Sequence, residues 1–138
     1  MTTMLKLRII KDHDYLNILK KMLHDNNIII NKTKNGKPFF VNNKNYFSVA
    51  HTNNKTIIVA SKRPIGIDME LIRDYDKSLL KYLNLPLMSN KRFFKEWTRR
   101  EAYIKRNDLR LSDIINIDYK NNKFKTFGFG RYIISICY

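Results

Sequence analysis

Apolar residues recur along this chain with two different periods, and the change from one to the other marks out its elements. Residues 4–10 form a short β-prone run, and Asp12 or Asp14 can cap a following helix in which Leu16, Leu19, Met22 and Leu23 recur at helical spacing. The stretch from Asn31 to Pro38 is turn-forming. Asn35-Gly36 can take positive φ there, and Pro38 holds Lys37 in an extended conformation. Two β-prone runs follow, Tyr46–His51 and Thr56–Ala60, separated by Asn53-Asn54 in the manner of a hairpin. A third strand is predicted from Ile65 to about Leu71. The segment from about Lys91 to Arg106 has no Gly or Pro and places Phe94, Trp97, Glu101 and Lys105 along one side of a helix. Leu111–Asp118 and Lys123–Phe129 read as strands or strand fragments, and Tyr132–Tyr138 as a last strand after Gly128 and Gly130. The order expected is mixed α and β.

At 138 residues the chain suits one domain, and no linker, low-complexity tract or internal repeat divides its sequence. Its 43% hydrophobic content is that of a folded protein rather than a disordered one. One cysteine, Cys137, excludes an internal disulfide, and its apolar surroundings suggest a small buried hydrophobe. No run approaches the ~20 apolar residues of a membrane span, and residues 1–7 lack the apolar stretch of a signal peptide. The expectation is an unprocessed, cytoplasmic protein. With 27 Lys and Arg against 12 Asp and Glu, a net charge of +15 favours polyanionic partners, whether phosphate-rich ligands, nucleic acid or an acidic protein.

Against that basic background the acidic residues stand out. In Ile65-Gly66-Ile67-Asp68-Met69-Glu70-Leu71 the strand period puts the large apolar side chains on one face and Gly66, Asp68 and Glu70 on the other. Two carboxylates on one face repel unless a cation, a basic neighbour or water compensates them, and Mg²⁺ prefers such oxygens. Gly66 would leave room beside them. The plain alternative is an exposed face with two solvated acids. On the helix, Glu101 lies one turn from Trp97 and one from Lys105; it is either a surface ion-pair partner of Lys105 or a third metal ligand. His51 ends a strand just before a polar turn, where a side chain can reach a ligand. His13 and His24 show no ligand spacing. No zinc pattern, Gly-rich phosphate loop or nucleophile elbow is present.

Taken in order, Gly36-Lys37-Pro38, Phe47-Ser48-Val49-Ala50-His51-Thr52, Ile65-Gly66-Ile67-Asp68-Met69-Glu70 and Trp97-Thr98-Arg99-Arg100-Glu101-Ala102-Tyr103-Ile104-Lys105 resemble the signature blocks of the 4′-phosphopantetheinyl transferase superfamily, surfactin-synthetase-activating type. The resemblance covers about residues 36–105. It implies an antiparallel sheet packed with helices, built as a trimmed pseudo-dimer of two α+β halves. Residues of about 1–45 would be an abbreviated N-terminal half and about 46–138 a metal-binding C-terminal half. It further implies that Asp68, Glu70 and Glu101 bind Mg²⁺, that Lys37 and His51 contact phosphates of coenzyme A, and that Lys105 lies beside the pyrophosphate. Glu101, directly or through a water that it orients, would be the base for a carrier-protein serine, and Lys105 would stabilise the leaving phosphate. The partners implied are coenzyme A and an acidic acyl or peptidyl carrier protein.

The chain departs from the family pattern at four points. Ala50 replaces the serine before the histidine, removing one hydroxyl contact to coenzyme A. Arg100 replaces the lysine before the glutamate. Arg106-Asn107-Asp108 replaces a glycine-containing turn. The chain is also shorter than the two-half members, which leaves open a homo-oligomer that supplies the missing surface. Two other readings carry weight: a relative that binds coenzyme A or carrier protein without turnover, and a basic nucleic-acid-binding module. The second would use Tyr46, Phe47 and the run Phe124 to Phe129 as a stacking platform, but it leaves the three carboxylates unexplained.

Overall fold

The computed structural model describes residues 6–11 and 14–138. Asp12, His13 and the first residues of the predicted opening strand lie outside this description. Among the described residues, eight strands and three α-helices follow in the order β1 (Lys6–Ile10), α1 (Tyr15–Leu23), β2 (Ile30–Lys32), β3 (Pro38–Phe40), β4 (Tyr46–Thr52), β5 (Lys55–Ser61), β6 (Gly66–Leu71), α2 (Ser78–Tyr82), α3 (Asn90–Asn107), β7 (Phe124–Phe129) and β8 (Tyr132–Cys137). The class is α+β with antiparallel sheets, as the family resemblance implies. One predicted element changes character. Residues 111–115 form a 3₁₀ turn, not a strand, because Ile114 alone of this stretch is buried, against the side of α3. Asp14 precedes α1 without bonding its backbone; its carboxylate instead accepts from the Asn17 side chain.

The β4–β5 hairpin turns at Asn53, which takes φ 52°, and pairs with β1 to give a sheet of order β1-β5-β4. The predicted third strand does not extend this sheet. It begins another, of order β6-β8-β7. The two sheets use their strands alike: a first strand, then a helix, then a hairpin whose second arm takes the central position. In sheet membership β4 and β5 go with β1, and the Lys62–Pro64 link leads from this sheet to the next. The short β2–β3 hairpin turns at Gly36, whose φ of 89° suits glycine.

Alternation within the strands builds three cores. Ile57 and Val59 of β5 share one with Ile67 and Met69 of β6 and Ile134 and Ile136 of β8, so the inner faces of both sheets bury each other. Ile58 and Ala60, pointing the other way, pack under Leu19 and Met22 of α1. Ile133 packs under Phe93, Phe94 and Ile104 of α3. At the seam between the sheets, the Ile67 amide donates to the Ser48 hydroxyl at 3.0 Å, a bond 2% exposed at Ser48. Ala50 is buried in the shared core, so a hydroxyl there would be enclosed among Ile57 and Ile67.

Helix α3 starts at Ser89, whose side chain accepts from the Arg92 amide. It lies unusually close to β6. A Cβ on Gly66 would overlap the Ala102 carbonyl oxygen and the Arg106 amide nitrogen. The glycine thus makes room for the helix backbone, where the sequence pattern suggested room beside a ligand. Further along, Thr98 bonds Ser135 at 2.7 Å, Ser135 bonds Thr126 at 2.9 Å, and Arg99 donates to Thr126 at 2.8 Å, stitching α3 to β8 and β7. Replacing Gly66 with alanine should therefore destabilise the protein by about 3 kcal/mol or more. Gly128, whose nearest neighbour to an added Cβ is 3.8 Å away, is the control and should change by about 0.5 kcal/mol or less. Urea denaturation of both variants checks this; equal losses would mean that α3 can slide away from β6 at little cost.

Candidate functional site

The closeness of α3 and β6 decides where the acidic residues go. Asp68, next but one to Gly66, lies under the helix and is 7% exposed, so the solvated-face alternative does not hold for it. Its Oδ1 is 3.3 Å from Lys105 Nζ, while its Oδ2 is buried without a hydrogen-bond partner. Burial pushes its pKa up to about 7; the Lys105 ammonium opposes this, and the nearby Glu101 and Glu70 carboxylates add to it. Glu101, half-buried, is raised as well, first by burial, with Lys105 opposing and Glu70 assisting. Lys105 crosses from α3 to β6 to meet Asp68 and the Val49 carbonyl, at 3.2 Å. It is therefore more than the helix-surface partner of Glu101 that i, i+4 spacing allows.

Glu70 behaves differently. Its Oε2 pairs at 3.0 Å with Arg73 at the more exposed end of β6, and among the described residues no three His, Cys, Asp or Glu side chains converge closely enough to hold a metal. The donor chemistry nonetheless suits a hard cation. A buried carboxylate oxygen lacks a partner, a second carboxylate sits near it, and both have raised pKa values that a cation would relieve. Glu70 would have to leave Arg73 to join them.

A cavity of about 690 Å³ opens beside this cluster and gathers along its wall Lys37 from the loop before β3, His51 from β4, and Glu101 and Lys105 from α3. Asp68 and Glu70 do not line it; Asp68 reaches it through Lys105. His51, exposed at the end of β4, has Nδ1 2.8 Å from the Thr56 hydroxyl and lies near the Tyr15 ring of α1. Lys37 is held more tightly than a free phosphate ligand would be. Its ammonium donates to the Ile65 carbonyl at 3.2 Å and the Arg106 carbonyl at 3.5 Å, and burial lowers its pKa to about 8.

The loop that carries Lys37 is latched to the end of α3. Thr33 donates to the Asp108 carboxylate at 2.7 Å, and the Asn35 amide donates to the Asp108 carbonyl at 2.8 Å. Asp108 caps α3 in the left-handed conformation, φ 51°, doing the work of a glycine at some conformational cost. Spacing gave no sign of this latch, nor of Tyr15, Lys32, Asp108 and Arg110 as cavity residues. Arg100 is 7% exposed and donates to the Ile114 carbonyl at 2.7 Å, so it anchors the 3₁₀ turn and does not face the cavity. Cys137 is fully buried, and burial pushes its thiol up to about 12, far from a reactive nucleophile. Phe47 is 2% exposed and unavailable for stacking on bases. No helix among the described residues is long and apolar enough to cross a membrane.

An α+β protein whose basic cavity lies beside a buried Asp68 and a half-buried Glu101 is thus the class that fold and site define. No family model matches the chain. It is similar to the 4′-phosphopantetheinyl transferase gsp of Aneurinibacillus migulanus, 31% identical over a stretch that takes in 57% of this chain and 38% of the relative. The matched stretch is thus well under half the length of that curated relative.

The metal-free protein carries a cost at Asp68. A carboxyl raised in the fold binds its proton more tightly folded than unfolded, so stability falls as pH rises from about 4 towards 7. In metal-free buffer at pH 8, Asp68→Asn should be more stable than the parent by about 2 kcal/mol, and the difference should shrink below pH 4. Thermal melts across pH check this. A less stable variant at pH 8 would mean that the Lys105 pairing outweighs burial.

Proposed function

We propose that this chain is a 4′-phosphopantetheinyl transferase, moving the phosphopantetheine arm of coenzyme A to a serine of an apo acyl or peptidyl carrier protein in a Mg²⁺-dependent reaction that releases 3′,5′-ADP. The observation that carries the reading is the cavity that unites Lys37, His51, Glu101 and Lys105 beside a buried Asp68 with an unpartnered oxygen. The similarity to gsp supports it. In this reading the repeated strand, helix and hairpin order of the two sheets is the trimmed pseudo-dimer. The active cavity lies where the Lys37 loop meets β4 and α3.

Lys37, His51 and Lys105 bind the phosphates of coenzyme A; Lys105 shifts from Asp68 towards the pyrophosphate, a movement its long flexible stem allows. Asp68, Glu70 and Glu101 would hold Mg²⁺, which when bound supplies positive charge for the pyrophosphate and the departing 3′,5′-ADP. Glu101, directly or through a water that it orients, takes the proton from the carrier serine. The serine oxygen then forms its bond to the β-phosphorus as the bond from that phosphorus to the bridging oxygen breaks. That oxygen leaves with 3′,5′-ADP, and Lys105 steadies its charge. The +15 net charge favours encounter with acidic carriers and polyanionic coenzyme A.

Intact-mass analysis of apo carriers incubated with this protein, coenzyme A and Mg²⁺ tests the proposal. One phosphopantetheine should be added, and a chelator should prevent it. Asp68→Ala and Glu101→Ala should lower transfer by about 10³-fold or more while remaining folded, and Lys37→Ala should mainly raise the coenzyme A requirement. Failure with fatty-acid, polyketide and peptide carriers alike, from folded protein, would overturn the activity. Near-normal transfer by either carboxylate variant would overturn the metal-ligand assignment.

A further inference from the structure

A second cavity, of about 820 Å³, lies at the open end of the core that the two sheets share. It is larger than the first, and the proposed transfer uses none of its residues. Its floor is apolar. Leu7 of β1, Phe127 of β7 and Ile136 of β8 belong to, or pack against, the shared core and show their outer ends here. Its cations come from three places: Arg63 on the link between the sheets, Arg106 in the last turn of α3, and Lys123 and Lys125 at the start of β7. No Asp or Glu lines it among the described residues.

Four positive groups around one hollow repel one another, and Arg106 adds a specific demand. Its guanidinium bonds the Asn107 side chain through one terminal nitrogen, whereas its Nε is buried without an acceptor. A buried donor of this kind calls for a partner. A phosphate oxygen is a suitable one, since the guanidinium fork matches phosphate and the flanking lysines carry the rest of its charge. Strand register places Lys125 opposite Ile136 and Phe127 opposite Ile134, so β7 offers cations and an aromatic ring from one face. A phosphate held at the rim would leave an apolar or aromatic body lying over that ring.

From this geometry we infer a second ligand site, for a small phosphorylated molecule with an apolar or aromatic body. A hollow bounded by Arg106, Arg63 and the start of β7 favours a small molecule over a polynucleotide, whose phosphates bind along extended exposed tracks.

The test is an NMR titration of the full ¹⁵N-labelled chain, following the Arg106 Nε–H signal and the amides of residues 123–127. Inorganic phosphate, AMP and decanoate are the probes, with chloride as the ionic-strength control. Phosphate and AMP should give saturable shifts, with AMP at least about tenfold tighter because its base adds contact with the floor. The Lys123→Glu, Lys125→Glu double variant should lose these shifts yet keep its coenzyme A response at His51 and its rate of carrier modification. Arg63→Ala, at an exposed position, serves if the double variant misfolds and should weaken AMP binding in the same way. No saturable shift at Arg106, a shift with decanoate alone, or loss of the coenzyme A response together with the AMP response would overturn the inference. Transfer activity can fail while Arg106 still responds, so the outcome is independent of the transferase reading.

Discussion

Everything at the candidate site depends on how closely the backbone of α3 approaches β6. With no side chain at Gly66, the helix can settle onto the strand where any Cβ would strike the Ala102 carbonyl and the Arg106 amide. That approach buries Asp68 beneath the helix and brings Lys105 across to it. It also sets the end of α3 within reach of Lys37, whose ammonium bonds the Arg106 carbonyl and the Ile65 carbonyl just before Gly66. A wider gap would leave two solvated carboxylates on an ordinary sheet face.

The consequence is a site that is electrostatically unsatisfied. Burial raises the Asp68 and Glu101 carboxyls, and Lys105 compensates only one oxygen of Asp68. Structural ion pairs are usually better served than this, since a buried charge without partners is expensive. Glu70 escapes the conflict by turning to Arg73. Such tension between local stability and arrangement is expected where a fold is held ready for a charged ligand.

The loops that complete the site are stabilised by compensation rather than by ideal local choices. Asp108 adopts a conformation that glycine would take more easily, but its carboxylate and carbonyl together hold the Lys37 loop. Arg100, buried on α3, fixes the 3₁₀ turn whose neighbours Leu109 and Arg110 form another part of the cavity wall. The departures at residues 100 and 106–108 are thus supports of the wall. At residue 50 the departure lies within the shared core.

Much of this protein was legible in its sequence because helices and strands announce themselves through local periods. Alternation marked β4 to β6 and put Asp68 opposite the core-facing Ile67 and Met69, and helical spacing placed Glu101 and Lys105 on one side of α3. Residues 111–115 misled, since a short apolar run has no period that tells a 3₁₀ turn from a strand. Tertiary structure alone decided that β6 begins a second sheet, that Gly66 serves the helix backbone, that Lys105 reaches Asp68, and that four basic side chains ring a second cavity. Each of these depends on contacts between residues far apart in the chain. A local pattern shows which face is apolar, but not which distant surface will cover it.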